Sequence, residues 1–231
     1  MLTVSNIRSF YGETQALFGV SLSVARGEAV ALLGANGAGK TTVLRSILGL
    51  TPPSGGSIAF DGADISRTPT HEIAKRGIGW VPEERRIFPS LTVKTNLALG
   101  MKASRYKNWR LGDCFALFSA LEYLMERECE NLSGGEMQMV SISRAMLGSP
   151  GLMLMDEPSQ GLAPKLVQDV LKSVTAMKRE GVAVILVEQH ALAALEVTDR
   201  VYVLDKGRIV HEGASQALHD DAALRKTLLG G

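Results

Sequence analysis

Gly34-Ala35-Asn36-Gly37-Ala38-Gly39-Lys40-Thr41 is the stretch on which the reading of this chain turns. It follows the apolar run Ala29–Leu33 and precedes Thr42–Leu50, a stretch with a helical pattern, so the sequence predicts a strand, a loop and a helix in that order. The glycines let backbone N–H groups turn inward on phosphates, and a helix starting at the loop's end adds its positive pole. Lys40 brings a point charge to the β- and γ-phosphates, and the Thr41 hydroxyl is suited to ligate Mg²⁺.

A second anion cradle lies at Leu132-Ser133-Gly134-Gly135-Glu136, where a Ser-Gly-Gly turn opens another predicted helix. Close behind it comes Leu152-Met153-Leu154-Met155-Asp156-Glu157. Two acids at the end of an apolar strand are ordinarily a solvated turn. Beside a phosphate loop, Asp156 is suited to hold Mg²⁺ through water and Glu157 to polarise an attacking water as general base. Two phosphate cradles with one such carboxylate pair imply a nucleotide sandwiched between two copies of this kind of domain.

The remaining sequence supplies the frame. Ile78–Val81, Leu152–Met155 and Ala183–Val187 read as strands between helical stretches, which predicts an α/β fold with a mostly parallel sheet flanked by helices. Val4–Ile7, Val20–Val24, Ser57–Phe60, Val201–Leu204 and Arg208–Val210 read as shorter strands, several joined at Asp61-Gly62 or Lys206-Gly207, and suit an antiparallel edge layer. Val93–Glu130 reads as helical and charge-rich, so residues 93–147 are expected to form a helical subdomain inserted in the core of a single 1–231 domain. Its Arg105, Lys107, Trp109 and Arg110 are either a solvated face or a partner surface.

Bulk properties exclude several classes. A net charge of +1 gives no field for nucleic acid, and there is no heptad run of the kind long coiled coils need. Cys114 and Cys129 match no metal or redox spacing and are expected to be packed or partly exposed thiols. No apolar run approaches a membrane span, and Met1-Leu2-Thr3-Val4-Ser5 lacks a signal-peptide pattern, so the chain is expected to be soluble, cytoplasmic and brought to a membrane by partners. A kinase or GTPase reading lacks an acceptor site or a guanine-reading motif and leaves Ser133–Gly135 unexplained.

In their order, these motifs make the chain resemble the ATP-binding subunits of ABC transporters, over nearly its whole length. The resemblance implies a P-loop NTPase core and ATP with Mg²⁺ as ligands. Gly34–Thr42 is then the Walker A loop, Ser133, Gly134 and Gly135 the signature, and Asp156 and Glu157 the Walker B pair. Ser159–Pro164 falls at the D-loop, His190 at the switch histidine, Tyr11 at the adenine-stacking aromatic, and Val81-Pro82-Glu83 at the membrane-facing Q-loop. His190 is expected to hold the γ-phosphate and the attacking water, and Glu83 to join Thr41 and Asp156 at the metal.

Within that family, Gly34–Thr42, Val81–Pro89 and Gly161-Leu162-Ala163-Pro164 are similar to the smaller, LivF-type subunit of branched-chain amino acid importers. This implies ATP-driven uptake with a second ATP-binding subunit (a larger paralogue or a copy of itself), two transmembrane permease subunits and, indirectly, a periplasmic solute-binding protein. Related machines take urea or short-chain amides. Three positions depart from the wider family: Glu83 stands where most members have Gln, Ala163 replaces the usual Asp, and Met137 replaces a Gln.

Overall fold

The computed structural model describes residues 1–229. In chain order its elements begin with the strands β1 (Leu2–Tyr11), β2 (Thr14–Val24) and β3 (Ala29–Leu33), then α1 (Lys40–Ile47), β4 (Gly55–Phe60), β5 (Ala63–Asp64), α2 (Thr70–Lys75) and β6 (Ile78–Val81). The helices α3 (Val93–Gly100), α4 (Leu111–Leu117), α5 (Ala120–Leu124) and α6 (Gly134–Leu147) follow. The chain then runs through β7 (Leu152–Asp156), α7 (Pro164–Arg179), β8 (Ala183–Val187), α8 (Ala191–Val197), β9 (Arg200–Asp205), β10 (Arg208–Ala214), α9 (Ser215–Asp220) and α10 (Ala222–Leu229).

The strands form two sheets. One has four strands in the order β2-β1-β4-β5, all antiparallel. The other has six in the order β10-β9-β3-β8-β7-β6, parallel except for the β10 edge. Every residue of β3, β7 and β8 is buried, as the interior strands of a sheet covered on both faces require. Alternate residues divide between two cores. Ala31, Leu33, Met153, Met155, Val184 and Leu186 face α3–α7, whereas Val30, Leu32, Leu152, Leu154 and Ile185 face α1 and the four-stranded sheet. The six-stranded sheet is therefore the middle layer, and the two-residue period of its strands divides the apolar side chains between both cores.

Three expectations need correction. Val201–Leu204 is not part of the antiparallel edge layer: β9 pairs parallel with β3 inside the main sheet, and those four residues are buried. The Lys206-Gly207 turn that suggested an antiparallel layer joins β9 to β10, which forms that sheet's own antiparallel edge. The helix after the phosphate loop starts earlier, at Lys40, and ends at Ile47, just before Gly49 takes a left-handed φ of 69°.

The third correction concerns the charge-rich segment. Residues 101–110 contain no regular helix or strand. Trp109 lies within the core that faces α3–α7, 8% exposed, with Lys107 over its ring at 5.6 Å. Its indole outweighs the pattern of its charged neighbours, because a large apolar surface gains more from burial than a nearby cation loses when only its stem is covered. Arg105 is exposed but pairs with Asp61 at 2.9 Å, tying this irregular stretch to the β4–β5 turn. Cys114 and Cys129 are free and buried, and burial pushes the Cys114 thiol up to about 11.

Trp109→Ala should destabilise the chain by about 3 kcal/mol, the low end for a buried indole, because its Nε1 has no partner to lose. Urea denaturation followed by circular dichroism measures this. A change below about 1 kcal/mol would return Trp109 to the surface.

Candidate functional site

The site forms where β3, β7 and β8 end. Parallel pairing sets Leu32 beside Val187 and Asp156 beside Val187, so the loops leaving these three strands open on one edge. After β3 the chain turns sharply at Gly34, φ 148°, where a Cβ would stand 2.1 Å from the Leu204 carbonyl oxygen. Gly39 is the N-cap of α1 in a left-handed conformation, with no side-chain oxygen to cap the helix and no acid in its first turn. The first N–H groups of α1 therefore point into the loop without an internal acceptor, the condition under which a helix start binds an anion.

A cleft of about 330 Å³ lies over this loop. Asn36, Gly37, Gly39, Lys40, Thr41 and Thr42 line one side. Glu83, Glu157, Gln160 and Gln189 face them. Lys40 is buried, and its Nζ donates to the carbonyls of Gly34 at 2.8 Å and Ala35 at 3.1 Å while standing 4.0 Å from Glu157 Oε1. Ala38 is buried beneath the loop, and its carbonyl accepts from Gly207 N at 2.8 Å.

The carboxylates occupy different environments. Asp156 ends β7, is 1% exposed, and accepts from Thr41 Oγ1 at 3.2 Å. Burial pushes its carboxyl from 3.8 up to about 6, and the charges of Glu157 and Glu83 push the same way, against the Thr41 hydrogen bond and Lys40. Glu157 lies just past the strand at φ 47°, a left-handed conformation that costs a non-glycine residue about 1–2 kcal/mol. Its N–H donates to Val187 O at 2.9 Å, and its Oε2 accepts from Gln189 Nε2 at 2.6 Å.

These groups fit a magnesium ion bound with a phosphate. Hard oxygen donors meet at Thr41 and Asp156, while among the described residues no group of three His, Cys, Asp or Glu could cage an ion alone. Mg²⁺ keeps water and phosphate oxygens for most of its shell, so a sparse protein contribution suits it. Glu83 is exposed and lines the same cleft.

The other sequence-predicted residues are more dispersed. Tyr11 ends β1, 47% exposed, with its hydroxyl accepting from Thr42 Oγ1 at 3.4 Å, so it stands beside the phosphate loop as an open aromatic face. His190 is exposed at the N-cap of α8; it lines a neighbouring cavity with Gly34 and α10 and is not among the residues that line the phosphate cleft. Ser133 caps α6 in a reciprocal pair with Glu136: Ser133 Oγ accepts from Glu136 N at 3.3 Å and Glu136 Oε2 accepts from Ser133 N at 2.7 Å. The Gly134 and Gly135 N–H groups and the Ser133 O–H proton remain for a ligand. None of these three residues lines the phosphate cleft of its own chain. Gly135 leaves space that Leu166 fills, since a Cβ there would lie 2.3 Å from Leu166 Cδ1.

Sequence reasoning missed Gln160 and Gln189 as cleft residues. The signal existed: Gln189 follows β8 closely, as Glu157 follows β7, and residues just past parallel strand ends gather at one edge.

A family model described as ABC transporter matches residues 17–160. The chain is 41% identical, over the full length of both chains, to the high-affinity branched-chain amino acid transport ATP-binding protein BraG of Pseudomonas aeruginosa. It is 33% identical, over 99% of this chain and 97% of the other, to the lipopolysaccharide export system ATP-binding protein LptB of Escherichia coli K12. Among solved structures it is similar to a nucleotide-free ATP-binding cassette from an ABC transporter, with a TM-score of 0.83, 29% identity and coverage of 100% and 99%. A dimeric post-hydrolysis cassette bound to ADP and Pi gives a TM-score of 0.82 at 26% identity, covering 93% of this chain and 99% of the other.

The raised Asp156 carboxyl has a measurable consequence. Below about pH 4 both folded and unfolded chains hold its proton. Between that and about pH 6 the folded chain alone holds it, so stability falls as pH rises through this window and the loss is complete above it. In metal-free buffer at pH 8, Asp156→Asn should therefore be more stable than the unmodified chain by on the order of 2 kcal/mol, a gain that vanishes near pH 4. Chemical denaturation across pH checks this; a gain independent of pH would contradict it.

Proposed function

The chain belongs to the ABC transporter family as an ATP-binding, ATP-hydrolysing subunit, and we propose that it drives import of branched-chain, hydrophobic amino acids through partner membrane subunits. The full-length likeness to BraG carries the solute assignment. The gathering of Lys40, Thr41, Asp156, Glu157 and Gln189 at one sheet edge supports the chemistry.

In this reading, Tyr11 stacks on adenine and the loop Gly34–Thr42, including Ala35, Asn36 and Ala38, wraps the phosphates. Lys40 moves from the Gly34 and Ala35 carbonyls to the phosphate oxygens. Thr41, Asp156 and Glu83 would hold Mg²⁺, which would supply positive charge against the phosphates. Glu157, oriented by Gln189, draws a proton from the attacking water. His190 lies outside this cleft, and the γ-phosphate contact expected of it falls instead to its neighbour Gln189, which lines the cleft beside Glu157.

The Ser133, Gly134 and Gly135 turn serves the nucleotide held by a second ATP-binding subunit, a larger paralogue or a second copy of this chain. Its absence from its own chain's cleft and the likeness to a dimeric cassette holding ADP and Pi support that arrangement. Residues 93–147 act as the helical subdomain that passes closure to two permease subunits, fed by a periplasmic solute-binding protein; no nucleic acid takes part. No described helix is long and apolar enough to cross a membrane, so in this reading the permeases hold the chain at the cytoplasmic face of the inner membrane.

Glu157→Gln should keep ATP affinity, lower turnover by about 10²–10⁴-fold and leave an ATP-dependent dimer in size-exclusion chromatography. Near-normal turnover would remove Glu157 from the base role. Deleting the gene should abolish uptake of labelled leucine and leave lipopolysaccharide assembly intact. The opposite pattern would favour the exporter relation, and loss of urea or amide uptake alone would reassign the solute.

A further inference from the structure

Glu188 is acidic and buried, 3% exposed, and none of the roles above uses it. Desolvation raises its carboxyl above the ordinary value, while hydrogen bonds from Ser159 and the Gln189 backbone and the charge of His190 draw it back. Burying a carboxylate is unfavourable unless its oxygens hold something. Here Oε1 accepts from the Ser159 N–H at 3.0 Å, and Ser159 is itself buried.

That bond belongs to a pattern. Three consecutive residues past and at the end of β8 hold the chain just past β7. Val187 O accepts from Glu157 N at 2.9 Å, Glu188 Oε1 accepts from Ser159 N, and Gln189 Nε2 donates to Glu157 Oε2 at 2.6 Å. The backbone pairing of the two strands ends at Asp156 and Val187. Beyond that point the Glu188 carboxylate takes the place of a strand carbonyl. It is the side-chain bond that fixes the backbone between Glu157 and Gln160, both of which face the phosphate loop.

We propose that Glu188 is a positioning residue for hydrolysis: by holding the Ser159 N–H it sets where Glu157 and Gln160 stand over the phosphate loop and ties the Ser159–Pro164 segment to Gln189 and His190. This rests on the reading of Glu157 as the general base. Movement of the Ser159–Pro164 segment is then transmitted through one bond to the wall that faces the phosphate loop, to Glu157 through Pro158 and to Gln189, the neighbour of Glu188.

The test compares Glu188→Leu, Glu188→Gln and Glu188→Asp in the full-length protein with its partner subunits. Leucine removes the acceptor, glutamine keeps one, and aspartate keeps the charge but withdraws the oxygen by one carbon. Glu188→Leu should lose about 10- to 100-fold in kcat, the scale of a small misplacement of a reacting group, with KM for ATP within about twofold. Glu188→Gln should recover kcat to within about threefold of the unmodified chain. If Glu188→Leu does not fold, Glu188→Asp decides, with an expected loss of about tenfold in kcat. Unchanged kcat in the deciding variant overturns the proposal, as does equal loss in Glu188→Gln, or a fall in nucleotide affinity matching that in kcat. Glu157→Gln is run beside them: if it turns over normally, the base assignment fails, whereas if it stalls while the deciding Glu188 variant does not, only the positioning role fails.

Discussion

The parallel pairing of β3, β8 and β7 is the constraint on which the site depends. All three strands are wholly buried, so their register is held by apolar side chains committed to two different cores. A shift of one residue would send Leu154 toward the helices and Met155 toward the other sheet, exchanging both faces at once. The phosphate loop, the Asp156–Glu157 pair and the Glu188–His190 segment are short extensions of these strands. Their relative placement is therefore fixed by core packing and does not require the loops to be rigid on their own.

The two anion cradles are built from opposite solutions to the same problem. Helix α1 begins at a glycine that offers no cap, so its first N–H groups are satisfied only by the loop's ligand or by water. Helix α6 begins with Ser133 and Glu136 capping each other, so those two N–H groups are satisfied before any ligand arrives and only those of Gly134 and Gly135 stay open. An uncapped start gains more from a phosphate than a capped one. The α1 cradle is thus the more open of the two to an anion, and the α6 cradle the more nearly satisfied without one.

What the sequence revealed follows from how local each signal is. The phosphate loop was legible because strand, glycine spacing, lysine and hydroxyl all fall within one short segment. The parallel core strands were legible because complete burial leaves an unbroken apolar run. The place of β9 was not, since a strand followed by a tight Lys206-Gly207 turn looks the same whether its other neighbour is parallel or antiparallel. Trp109 was hidden by the charges around it, and Gln160 and Gln189 by having no charge. The left-handed turn at Glu157 leaves no sequence trace, because it goes with a hydrogen bond to the Val187 carbonyl on a strand distant in sequence.

Charge arrangement adds a final constraint. Asp156, Glu157 and Glu83 face one buried cation, Lys40, whose nitrogen is already held by two carbonyls and stands 4.0 Å from Glu157. Among these side chains a polyphosphate meets more negative than positive charge, and burial makes Asp156 and Glu157 repel it more strongly than they would in water. The raised Asp156 carboxyl, held up first by burial and then by the charges of Glu157 and Glu83, includes the same imbalance as a smaller part. A divalent cation bound between Asp156 and a phosphate would neutralise both, and cation and nucleotide would then strengthen each other's binding by the same factor. Glu83 adds one more negative charge at an exposed position of the same cleft.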